Sequence, residues 1–211
     1  MEDEVTPSGH YPEPRDETFP QMEEQMLRLW ESEDILAKVR ERMSGGEPLV
    51  FCEGPPTANA RPHIGHTYTR AVKDAFLRYH IMNGRKIVPY IAGWDCHGLP
   101  VELEVEKEKG LGSKAAIEEL GVDKFNGLCR ESVQKYKADW ERMSRRVGYW
   151  IDYGNAYMTM SNEYIESVWW SVKQLHQKGM LALDRKVLPY CPRCGTALST
   201  HEVALGFREA E

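Results

Sequence analysis

The sequence predicts an α/β fold built on a parallel sheet with helices packed around it. Three observations carry that prediction: an apolar run at Leu49-Val50-Phe51-Cys52, an amphipathic stretch from about Gly65 to Met82, and a second apolar run from Ile87 to Ala92. Strand, loop, helix and strand in that order make a βαβ unit, whose strands pair in parallel through a right-handed crossover. Ligands of such sheets bind beyond the carboxyl ends of the strands. Those ends carry Glu53-Gly54-Pro55-Pro56 and Gly93-Trp94-Asp95, the two segments of oddest composition in the chain.

Taken in order, residues 1–18 read as an acidic, proline-containing leader, and residues 19–46 as a helical segment. Met22, Met26, Leu29 and Trp30 recur at helical spacing, and Ile35, Leu36 and Val39 continue the pattern after a break near Ser32. Ser44-Gly45-Gly46 closes it, because glycine readily takes the backbone conformation that ends a helix. Residues 47–188 read as the sheet-bearing domain. Its first strand leads into a loop from Glu53 to Pro62, and its helix places Val72, Ala75, Phe76 and Tyr79 on one face before Asn83-Gly84 stops it. Pro89 removes a ladder donor, so the second strand is expected to break or bulge there. A long helix is marked by Phe125, Leu128, Cys129, Tyr136, Trp140, Met143 and Val147. Another runs from Asn162 to Lys178, with Ser161 as cap, Gly179 as stop and a stripe of Ile165, Val168, Trp169, Val172 and Leu175. Met180–Leu183 and Lys186–Tyr190 read as strands, and residues 189–211 form a terminal knuckle segment.

Composition narrows the function. The 211 residues carry 27 basic and 33 acidic side chains, a net charge of −6, with 41% hydrophobic residues. That is enough apolar mass for a core, and it excludes wholesale disorder and a simple basic nucleic-acid coat. No apolar run is long enough to span a membrane, and the polar N-terminus lacks the pattern of a secretory signal. Five cysteines without a regular framework fit a reducing cytoplasm better than a disulfide scaffold.

The sharpest motif is Pro62-His63-Ile64-Gly65-His66, at the junction of loop and helix. A helix N-terminus offers unpaired N–H groups and partial positive charge, so two imidazoles beside it make an anion site. The competing reading is a pair of caps or surface residues; the preceding Gly-Pro-Pro loop and the βαβ position favour the site. Asp95 stands at the end of the second strand, placed to hold an ammonium group; its competing reading is the N-cap of the helix that carries Val101 to Lys107. Cys191-Pro192-Arg193-Cys194-Gly195 is a C-x-x-C-G knuckle of the kind that presents two thiolates to zinc. Four ligands are needed and no second knuckle follows, so it reads as a half-site, with His201 a weak third candidate; a redox reading fits the context less well. Gly110-Leu111-Gly112-Ser113-Lys114-Ala115 matches G-x-G-x-x-A but follows a charged helix, so it reads as a loop and cap. Trp169 and Trp170 read as core or interface residues.

These residues also resemble a known family. Glu53-Gly54-Pro55-Pro56-Thr57-Ala58-Asn59 followed by Pro62-His63-Ile64-Gly65-His66 is similar to the first signature of class I aminoacyl-tRNA synthetases. Gly93-Trp94-Asp95-Cys96-His97-Gly98-Leu99-Pro100-Val101-Glu102, Tyr164–Trp170 and Tyr190–Ser199 resemble the isoleucine branch more than the valine or leucine branches. The resemblance runs from about Phe19 to Gly206. It implies the first half of a Rossmann-like synthetase sheet, with N-terminal helices and a zinc-knuckle segment leading into an editing insertion that lies outside this sequence. It implies that His63 and His66 act on the ATP phosphates, that Gly65 and Asn59 complete the ATP site, and that Gly54, Pro55 and Asp95 hold the amino acid. Cys191 and Cys194 would be zinc ligands. The implied reaction is ATP-dependent activation of isoleucine with Mg²⁺ and transfer to tRNA(Ile), in the cytoplasm, by a longer chain of which this is the N-terminal part. The Lys-Met-Ser-Lys-Ser signature of the family is absent from these residues. The alternative is a non-catalytic, synthetase-like nucleotide-binding module, or one chain of a split enzyme.

Overall fold

A computed structural model describes residues 16–204, and the chain divides into two compact units, Met1–Gly45 and Gly46–Glu211. The expected leader lies almost wholly outside the described residues.

The first unit holds α1 (Phe19–Ser32) and α2 (Ile35–Arg42). Thr18 precedes α1, and its N–H donates to Gln21 Oε1 at 2.8 Å; Pro20 sits in the first turn, where no N–H is needed. The expected break falls just after Ser32, where Asp34 takes a left-handed φ of 46°.

In the second unit the order is β1 (Pro48–Val50), α3 (Ile64–Met82), β2 (Lys86–Val88), β3 (Ile91–Trp94), α4 (Leu99–Lys109), α5 (Lys114–Leu120), α6 (Val122–Arg146), β4 (Asp152–Met158), α7 (Asn162–Gln177), β5 (Tyr190–Cys191), β6 (Thr196–Ala197) and α8 (Thr200–Ala204). The predicted second strand is split in two by Pro89, whose peptide bond is cis. Its first half pairs in parallel with β1, Leu49 opposite Ile87. Its second half pairs in parallel with β4, Gly93 opposite Tyr157, across an irregularity after Ile91. Segment 86–94 is therefore the middle of the sheet. The apolar side chains of this spine, Ile87, Ala92 and Trp94, are buried against Leu77 of α3, Val101 of α4, and Val133, Tyr136 and Trp140 of α6. Tyr149, Ile151 and Tyr153 close the same core on the approach to β4.

Several expectations need correction. β4 was not foreseen: Asp152-Tyr153-Gly154-Asn155 lacks both alternation and β-branched residues, and pairing with β3 alone makes it a strand. Met180–Leu183 and Lys186–Tyr190 form no strands apart from Tyr190 itself; Leu183 and Val187 stand fully in solvent, without a neighbouring strand to pair with. The apolar face of α3 was read correctly as a stripe, but Val72, Phe76 and Tyr79 are more than half exposed, while the buried residues of that helix are Arg70 and Leu77. Likewise α7 buries none of its residues, and Trp169 and Trp170 lie on the surface, not in the core. Elsewhere the local reading and the structure agree. Ser161 caps α7 by accepting from the Tyr164 N–H at 3.2 Å. The refused glycine motif is the junction of α4 and α5, where Gly110 takes a left-handed φ of 68° and Ser113 caps the next helix.

Gly93 has no room for a side chain, because a Cβ there would overlap the Tyr157 ring on the neighbouring strand. Gly93→Ala is expected to destabilise the fold by about 3 kcal/mol, measured as a lower urea midpoint at unchanged denaturant slope. Adding Tyr157→Ala should recover part of the loss.

Candidate functional site

The loop that follows β1, the first turns of α3, the start of α4 and Trp140 of α6 surround a cavity of about 530 Å³. Gly54, Asn59, His63 and His66 line it, with Glu53, Arg70, Lys73 and Trp140. Pro55, Gly65 and Asp95 do not line it; Pro55 and Gly65 belong to the loop and helix around it, and Asp95 is paired to the lining residue Thr57.

His63 is the N-cap of α3, and its Nδ1 accepts from the Gly65 N–H at 3.1 Å. The His63 N–H in turn donates to Nδ1 of His66 at 3.2 Å. With both Nδ1 atoms accepting, each neutral imidazole carries its proton on Nε2. The pair therefore supplies two ring N–H donors beside a helix N-terminus without needing to be charged. The rings lie 3.7 Å apart, centroid to centroid, and His66 packs against Trp140 at 4.4 Å with the rings tilted by 50°. Trp140 is fixed by donation from its indole N–H to the Ala60 carbonyl at 2.9 Å. Gly65 matters sterically, since a Cβ there would press on the His63 ring at 3.0 Å. Burial, and after it the nearby His63 and Arg70, holds the pKa of His66 below the usual imidazole value.

Asp95 is not the cap of α4; Gly98 takes that position. Its carboxylate accepts from the Thr57 hydroxyl at 3.0 Å, and its main chain continues the sheet: Asp95 N–H donates to Pro56 and its carbonyl accepts from Ala58, both at 3.0 Å. The loop that carries Gly54 and Pro55 is thus laddered to the strand that carries Asp95. His97 lies 3.9 Å from the same carboxylate.

The residues that sequence reasoning missed lie beneath the histidines. Glu53 is only 6% exposed. One of its carboxylate oxygens accepts from Lys73 Nζ at 2.6 Å and lies 3.9 Å from Arg70; the other accepts from the Tyr149 hydroxyl. Arg70 is held between the rings of Trp140 and Tyr149, at 5.3 and 5.1 Å. Burial, then the charge of Glu53, pushes the Tyr149 hydroxyl far above the usual phenol value, so it remains a donor. A signal was present: Arg70 and Lys73 follow His66 at helical spacing, on a helix whose other face is apolar.

The knuckle forms an antiparallel hairpin, with Tyr190 opposite Ala197 and the Gly195 N–H donating to the Cys191 carbonyl at 2.9 Å. Hydrogen bonds from the Cys194 main chain and thiol pull the Cys191 thiol below its usual value, and the bond the two thiols share pushes Cys194 above it. Arg193 anchors the turn to Glu106 of α4 at 3.1 Å. Among the described residues no three metal-binding side chains cluster, and the side chain of His201 lies outside the described residues.

Residues 25–210 match the family described as tRNA synthetases class I (I, L, M and V). The chain belongs to that family. The isoleucine–tRNA ligase of Thermus thermophilus is 53% identical over 193 residues, which cover 92% of this chain and 18% of that protein. The isoleucine–tRNA ligases of Clostridium novyi and Picrophilus torridus are 50% and 48% identical, over 92% and 89% of this chain and 18% of each of those proteins. The chain thus spans about a fifth of the length of these relatives. Among solved structures, the Agrobacterium radiobacter K84 LeuRS in its ternary complex with tRNA and LeuAMS shares the fold, with a TM-score of 0.63 and 20% identity over 86% of this chain and 20% of that one.

A histidine whose folded-state pKa is lowered binds fewer protons folded than unfolded, so stability rises with pH up to the ordinary value of 6.5 and is lost as pH falls below it. NMR titration should place the His66 midpoint below 6.5, with the Nε2–H tautomer above it, and Arg70→Gln should move that midpoint upward.

Proposed function

We propose that this chain is the N-terminal part of an isoleucine–tRNA ligase and supplies half of its activation site. The observation that carries the reading is that His63 and His66 line one cavity with Gly54 and Asn59, both with Nδ1 already accepting a main-chain N–H, which leaves Nε2 of each ring for a ligand. The names of the relatives, at about half identity, supply the choice of isoleucine and tRNA(Ile). In this reading the isoleucine carboxylate attacks the α-phosphorus of ATP, the bond to pyrophosphate breaks, and isoleucyl-adenylate forms before transfer to tRNA(Ile). His63 and His66 bind the phosphates and stabilise charge that grows in the transition state, helped by the N-terminus of α3. Gly65 and Asn59 complete the nucleotide site. Asp95, steadied by Thr57, holds the α-ammonium, and Gly54 and Pro55 shape the amino-acid end. No protein nucleophile is needed; orientation and electrostatics carry the step.

Mg²⁺ would enter on the nucleotide phosphates and neutralise their charge, since the buried carboxylate of the cavity is already engaged by Lys73 and Tyr149. Cys191 and Cys194 fit two of the four ligands of a structural zinc, the other two coming from the remainder of the synthetase, beyond the editing insertion. The exposed face of α3 (Tyr68, Val72, Phe76, Tyr79) and the open edge of β1 support a reading in which that remainder packs here. Among the described residues no helix is long and apolar enough to cross a membrane, and we place the enzyme in the cytoplasm.

Isoleucine-dependent ATP–pyrophosphate exchange by the full-length protein tests the reading; its absence, or exchange driven equally by valine or leucine, would overturn it. His63→Ala and His66→Ala should each lower exchange by about 10²-fold, while the 211-residue chain alone should charge no tRNA. Metal analysis of the isolated chain should find well under one zinc per chain, and tight stoichiometric zinc would mean that a local side chain completes the site.

A further inference from the structure

We propose that Glu53 is a positioning residue: by gripping Lys73, Arg70 and Tyr149 it locks the Gly54-Pro55 turn onto the helix that presents His63 and His66, and so sets the distance between the amino-acid and nucleotide ends of the site. The proposal rests on the functional reading above.

Glu53 is the third residue after β1, at the head of the Gly54-Pro55-Pro56 run. Its carboxylate takes Lys73 at 2.6 Å, Arg70 at 3.9 Å and Tyr149. Its main-chain carbonyl accepts from the Tyr157 hydroxyl of β4 at 2.6 Å. Every side-chain oxygen is therefore engaged, so the group holds geometry and is not free to take a proton from substrate. Both cations stand on α3, and Arg70 lies one turn below His66. The far end of the loop is fixed independently by the Thr57–Asp95 ladder. Between the two clamps, a Cβ on Gly54 would meet nothing within 4 Å, so its backbone is open to a ligand. Loosening the first clamp lets Gly54 and Pro55 move relative to the histidines while the sheet ladder keeps Asp95 in place. Arg70 adds a consequence. It is 5% exposed, its Nε has no hydrogen-bond partner, and it lines the cavity. Glu53 is thus the anion that faces both the buried Arg70 and the half-buried Lys73 on α3.

The test uses Glu53→Gln and Lys73→Met in the full-length synthetase that carries this segment, with active sites counted by titration. A KM for isoleucine raised about tenfold or more, with the KM for ATP within about twofold of the parent, supports the proposal. The double variant should be no worse than the poorer single one, because both remove the same contact. A purely structural ion pair would lower only the number of titratable sites, and an isoleucine KM within about twofold of the parent in both variants would overturn the proposal. Hydrogen exchange gives a readout independent of catalysis: the segment 52–59 should exchange faster in the variants, while α6 keeps its protection. Unchanged exchange there overturns the proposal. If the parent itself shows no isoleucine-dependent exchange of pyrophosphate, the functional reading fails, and the loop measurement alone decides the positioning role. If Glu53→Gln does not fold, Lys73→Met and Glu53→Asp carry the same comparison.

Discussion

A carboxylate almost without access to water must be surrounded by donors, and the Glu53 side chain gathers them from two distant parts of the chain. Leaving such a group unpaired in the interior costs several kcal/mol, so the end of β1, the middle of α3 and the segment after α6 are bound to one point. The histidines sit one turn above that point, and the Gly54-Pro55 turn begins at it. The arrangement of the site is in this sense a consequence of where one buried charge finds its partners.

The sheet supplies the second constraint. Segment 86–94 is its middle, split by Pro89 into a half that pairs with β1 and a half that pairs with β4. Main-chain bonds then extend past the strand ends, joining Thr57 and Ala58 to Asp95 and Thr159 to Trp94. Parallel pairing of this kind brings loops from distant positions to one edge, where their polar groups converge. That convergence explains why two short segments about forty residues apart act as one site.

Much of this was legible in the residues. Glycine and proline punctuation placed α3 and the interrupted spine correctly, and helical spacing found α6 and α7. The histidine pair and the knuckle were visible as motifs, and the resemblance to the class I synthetases agrees with the family match over residues 25–210. What escaped notice depended on distant partners. β4 has no periodic signature, and only β3 makes it a strand. The segment from Met180 to Pro189 carries strand-like residues but lacks a neighbour to accept its hydrogen bonds. Arg70 and Lys73 carry no motif of their own, yet Arg70 is among the most buried residues of α3.

By itself the sequence determined local conformation and chemical identity: which stretches curl, where they stop, and which side chains could hold an anion, an ammonium group or a metal. Those properties depend on a residue and its near neighbours. Tertiary structure decided which charges are buried, which apolar faces stay open, and that Asp95 braces a loop instead of capping a helix. Burial and pairing are set by groups far apart along the chain, and no pattern within one segment records them.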